Sequence, residues 1–217
     1  MTLREKISTI GQAYKTQFAR LKTWPFLRNL IVYFCVFSVV GHLIEWPYCA
    51  IGATFFNSVS WTDEVLANPL KPFMVYGFGI VICALLLAPI KDGLMKIHAK
   101  TWQALLVFFI MSVFLGMAME LIQGFLQNQP DEFGNYPLWD VHDYPGNILG
   151  QAWIVNDIML GAVFSFATWH IYPMSEKRLL ELDAISPKEA DRNMIFIAVV
   201  FFIITFVTYV MIPMPAR

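Results

Sequence analysis

Five long apolar runs constrain this chain more than any other feature. They lie at residues 27–48, 72–90, 102–126, 149–172 and 194–213. A helix needs about 20 such residues to cross a hydrocarbon core about 30 Å thick. Inside lipid a segment must satisfy its own backbone hydrogen bonds, so each run predicts a helix. The expected fold class is therefore all-α, a polytopic membrane helix bundle of about five transmembrane helices. Composition agrees. The 217 residues are 58% hydrophobic and 14% charged, where a soluble domain carries about a quarter charged residues. Charge and proline set the expected ends: Lys91 and Asp92 close the second run, Pro173 the fourth, and Pro213 with Pro215 the fifth, because proline cannot continue a helix.

Basic residues fix an orientation. With the N-terminus inside, the inner segments hold Arg4, Lys6, Lys15, Arg20, Lys22 and Arg28, then Lys91, Lys96 and Lys100, then Lys177, Arg178, Lys188 and Arg192. Only Lys71 and Arg217 fall outside, as the positive-inside rule requires. An odd number of spans then puts the C-terminus on the extracytoplasmic side of a cell (inner) membrane.

The chain divides into residues 1–25 and a transmembrane domain, 26–217. In the first, Ile7, Ile10, Ala13, Tyr14, Phe18 and Leu21 recur at helical spacing between basic residues. This predicts an amphipathic helix at the cytoplasmic interface. The first apolar run is long enough to span and follows a polar stretch, unlike a cleaved signal peptide. Cys35, Cys49 and Cys83 sit in or beside apolar runs without metal-ligand spacing and read as packing residues. No basic patch stands apart from the membrane runs, which argues against nucleic-acid binding.

Acidic residues inside spans carry the chemistry. A charge at the bilayer centre costs about 2.5–3.5 kcal/mol on insertion scales, so such residues face cavities or partners. Glu45, Glu120 and Asp157 all fall in the expected outer third. Ser38, His42, Glu45 and Cys49 form one helical stripe, and Gly116, Glu120, Gln123 and Gln127 repeat its offsets. Gly150, Ile154, Asp157 and Gly161 give a weaker stripe, with Asn156 beside it. These stripes predict either a shared polar lumen or side chains that pair to hold the bundle together, with Asp157 accepting from Gln123. Gly41-x-x-x-Glu45 recurs as Gly116-x-x-x-Glu120, each followed by a Pro-Leu pair (Pro69-Leu70, Pro137-Leu138), which suggests a tandem hairpin repeat of the kind common in transporters.

The stretch from Leu138 to Asn147 gathers Trp139, Asp140, His142, Asp143 and Asn147. Asp140, His142 and Asp143 could ligate a divalent cation together with Glu45 or Glu120. They could equally hold an amine or sugar head group, or the loop could be tied down by its own Asp turns and its interfacial tryptophan. No phosphate loop, H-E-x-x-H or G-x-S-x-G motif occurs, and nothing in the sequence calls for a cofactor.

Taken together, these residues resemble the CmpB-like ABC-transporter type IV family of small bacterial membrane proteins. Gly41, Glu45 and Tyr48 match that family's Gly, Glu and Tyr at the end of the first span. Pro72 and Tyr76-Gly77-Phe78-Gly79 match its second-span motif, and Glu120 its third-span Glu. Trp139, Asp140, Asn147 and Gly150 fit its closing Trp-Asp, Asn and Gly. Lys71 stands where the family has Gly, and Val141-His142 where it has Tyr-Ser. The resemblance covers residues 30–172, and its motifs include neither Asp157 nor the fifth span. It implies a transporter permease component, with Tyr48 and Tyr76 added to the site and a separate ATPase subunit as partner.

Three functions stay open on the sequence. The first is a permease-like component whose acidic site binds a cationic or polar solute, with an ATPase docked on residues 91–101 or 173–193. The second is an intramembrane enzyme acting on a lipid or envelope precursor through Glu45, Glu120, Asp140 and His142. The third is a non-catalytic scaffold or sensor. An oligomer is compatible with each.

Overall fold

The structure, a computed structural model, describes residues 1–56, 64–98, 100–130, 134, 136 and 139–212. Pro137, Leu138, Pro213, Pro215 and Arg217 lie outside the described residues. Helices α1 (Leu3–Arg20), α2 (Trp24–Ile51), α3 (Glu64–Ala67), α4 (Met74–Ile82), α5 (Ala88–Ile97) and α6 (Thr101–Gln127) come first. A two-stranded antiparallel hairpin follows, β1 (Asn147–Ile148) and β2 (Ala152–Trp153). Helices α7 (Ile154–Phe166), α8 (Tyr172–Ile185) and α9 (Pro187–Phe206) complete the chain. Five stretches are long and apolar enough to cross a membrane: Trp24–Phe55, Met74–Ile97, Thr101–Leu126, Ile154–Ile185 and Pro187–Met211. The chain is thus an all-α, multi-pass membrane protein.

Several expected ends move: the first span runs on to Phe55 and the fifth begins at Pro187. The second span runs past Lys91 and Asp92 to Ile97, because those charges sit on its last turns where long side chains reach polar surroundings. The fourth helix starts at Ile154 rather than 149, since Asn147–Trp153 forms the hairpin with Gly146 and Gly150 at positive φ. Nor does Pro173 stop it. A π-helical turn, Ala167–Ile171, precedes the proline, and such a wide turn changes the hydrogen-bonding partners where the ring would otherwise clash.

The chain forms two compact units, one of Met1–Lys15 and Leu86–Ile171, the other of Thr16–Leu85 and Tyr172–Arg217. In the first, α6 packs along α7 and α5 packs on α6. Glycines permit the α6–α7 approach: a Cβ on Gly161 would strike Val113, and one on Gly116 would sit 3.1 Å from the Leu160 side chain. From α1, Ile10 lies on Gly93, and the Tyr14 hydroxyl donates to the Leu86 carbonyl at 2.9 Å. In the second unit α2 is central, packed by α4, α8 and α9. Gly41 fits against Tyr76, and Gly77 against Phe34 and Ser38. Phe34 sits edge-on to both Phe78 and Phe201.

Candidate functional site

In the second unit the α2 stripe meets the start of α4. His42 is fully buried, stacked on Phe73, with its two ring nitrogens 2.6 Å from the Lys71 carbonyl and 2.9 Å from the Val65 carbonyl, one of which accepts the N–H of a neutral ring. It fastens the 65–73 segment over the helix. One turn on, the Tyr76 hydroxyl donates to the Glu45 carboxyl, while Glu45 Oε2 is buried and accepts from none of the described residues. Lys71 is 3% exposed, with its ammonium 3.9 Å from the Tyr209 ring centroid, and burial lowers its pKa. Tyr48 is exposed.

In the first unit, α6 and α7 bring Glu120 and Asp157 together. Asn156 Nδ2 donates to Glu120, the Trp153 backbone N–H donates to the same carboxyl, and the Asp157 carboxyl lies within hydrogen-bonding reach of it. Asp157 is fully buried, and neither of its oxygens has an amide, hydroxyl or basic donor among the described residues. The expected donation from Gln123 to Asp157 is therefore not made. The register of α6 on α7 turns Asn156 toward Glu120 instead.

The loop of the first unit uses its polar atoms on itself. Asp140 accepts from the His142 backbone N–H (3.0 Å) and from the Tyr136 N–H (3.3 Å), and its Oδ1 lies 2.8 Å from His142 Nδ1. Those contacts, the His142 N–H foremost, hold the Asp140 carboxyl below the usual range. Asn147 donates to the carbonyls of His142 and Tyr144. Trp139 donates to Gln151, whose side chain exchanges hydrogen bonds with Asn128. Asp143 is exposed. Among the described residues no three His, Cys, Asp or Glu side chains converge to hold a metal ion, so Glu45, Glu120, Asp140 and His142 are not gathered into a ligand set.

One polar cluster escaped the sequence reading. Glu176 on α8 accepts from Arg20 and from Tyr33. Arg28, 2% exposed, pairs with Asp183 at 2.9 Å and Asp191 at 3.1 Å. Glu176 and Asp183 are seven residues apart and share one helix face. That stripe is a readable signal, masked because residues 173–193 read as a docking segment and only their basic residues count toward orientation.

These features define a polytopic helical membrane protein with carboxylates buried between its spans. The chain belongs to the family described as "Putative ABC-transporter type IV", whose model matches residues 32–211. The match runs through the fifth span, beyond the residues that carried the resemblance. No curated protein and no solved structure matches the chain.

Proposed function

We propose that the chain is the permease-like component of a transporter in a bacterial inner membrane. Glu120, Asp157 and Asn156 form its principal polar site in the outer third of the bilayer, and Glu45 with Tyr76 a second one. One observation carries this reading: Asp157, in an apolar span, is wholly buried, and among the described residues only a second carboxyl, that of Glu120, stands within hydrogen-bonding reach of it. A carboxyl that served only as packing glue would be satisfied by its neighbours. Residues 1–25 lie as an amphipathic segment on the cytoplasmic interface, and an ATPase docks on residues 91–101 or on residues 173–193. Family membership supports such a partner.

The test is purification of the tagged protein from its native membrane in mild detergent, with the co-purifying proteins identified by mass spectrometry. A stoichiometric ATPase subunit is expected. A monodisperse preparation without one would overturn the ATPase-driven reading.

A further inference from the structure

We propose that the Glu120–Asp157 pair is a proton-binding site, holding one proton between its two carboxyls. This rests on the reading of that pair as the functional site, and names its ligand. Two carboxylates at hydrogen-bonding distance in an apolar interior cannot both keep their charge, and one shared proton removes the repulsion. The donors are unequal: the Asn156 amide and the Trp153 N–H both serve Glu120, and none serves Asp157. The shared proton thus lies between the two carboxyls, with the Asn156 and Trp153 donors on the Glu120 side. A metal cation fits less well. The Asn156 group facing the pair is its NH2, a donor, and no third His, Cys, Asp or Glu converges there among the described residues.

A second observation points to the same place. Ser112 lies two turns inward from Glu120 on the same face of α6, with Gly116 between them. That face meets α7, since a Cβ on Gly116 would lie 3.8 Å from the Asp157 carbonyl. Ser112 is fully buried and its hydroxyl has no partner among the described residues. On the α7 side, the buried hydroxyls of Ser165 and, in the following turn, Thr168 are likewise unpartnered. The helices that carry the pair thus also carry three buried hydroxyls without a partner among the described residues.

Few other charges bear on the pair. Glu120 and Asp157 are each other's only charged neighbours from α6, α7 and β2. Lys91, Asp92 and Lys96 on α5 belong to the end of the unit where α6 begins. Glu120 stands 19 residues along α6 from Thr101, about 28 Å at 1.5 Å per residue. His170, in the turn after α7, is 13 residues from Asp157, about 20 Å along the helix.

The experiment is an infrared pH titration of the purified full-length protein in lipid, following the C=O stretch of protonated carboxylic acids. One carboxylic-acid band that persists at neutral pH and shifts in deuterated buffer is expected. It should be lost in Asp157→Asn and in Glu120→Gln, and kept in Asp140→Asn. A wild-type protein with no such band, or a band unchanged in both variants, would overturn the proposal. So would displacement of the band by sodium at fixed pH, which would mean a metal cation takes the site. If either variant does not fold, the wild-type titration with and without sodium still decides. An ATPase without the band removes the proton and keeps the transporter reading; the band without an ATPase does the reverse.

Discussion

At the scale of single residues, the outer loop shows how chemistry-bearing side chains can be spent on structure. Asp140 looks like a ligand in the sequence, yet its oxygens are taken by Tyr136 and His142. Its pKa is depressed in the folded state. The stabilisation it gives is therefore fully present above the ordinary aspartate value of about 3.9 and is lost as pH falls through the lower folded value. At neutral pH, Asp140→Asn should loosen the loop, with a several-fold loss of amide exchange protection across residues 139–147. The wild-type loop should show the same loss only in acid, and the variant no further acid-dependent loss. Equal protection of both proteins at neutral pH would show that the carboxylate does not organise the loop. The sequence could reveal that these residue types cluster, but not which of them bond each other, since that depends on turns set by Gly146 and Gly150 at positive φ.

At the scale of elements, the two glycine–glutamate motifs behave alike. Gly41 admits Tyr76, which serves Glu45; Gly116 admits Leu160, and Asn156 in the same helix serves Glu120. The motif was legible because Gly and Glu one turn apart must share a face. Its partners were not, because they come from another helix whose register is a tertiary property. Helix ends were the least legible: proline and charge rules apply to regular α-turns, and the turn before Pro173 is π-helical. Gly41→Leu should force Tyr76 aside and destabilise the protein by about 1–3 kcal/mol, as overpacking does. Gly11→Ala, where an added methyl meets nothing within 4 Å, should stabilise α1 by about 0.5–1 kcal/mol. Thermal unfolding in one detergent measures both. An unchanged midpoint for Gly41→Leu would remove close α2–α4 packing as the reason for that glycine.

At the scale of the whole molecule, the five spans were legible because the bilayer fixes both the length and the composition of whatever crosses it. The Arg28–Asp183–Asp191 and Arg20–Glu176 pairs were not. Orientation rules count charges by side and are blind to pairing. Orientation is the remaining global property, and it decides which side of the membrane the carboxylates serve. With the N-terminus inside, Asp143, ahead of the span Ile154–Ile185, faces out, and Lys177, toward the far end of that span, faces in. Single cysteines at those positions test this directly, on a background with Cys35, Cys49 and Cys83, all buried, replaced. A membrane-impermeant maleimide should label Asp143→Cys in intact cells and Lys177→Cys only after the membrane is opened. The reverse pattern would move Glu120 and Asp157 to the inner third and make their proton a cytoplasmic one. Labelling of both from the same side would mean that Ile154–Ile185 does not cross, and that Asp157 is held by a re-entrant helix.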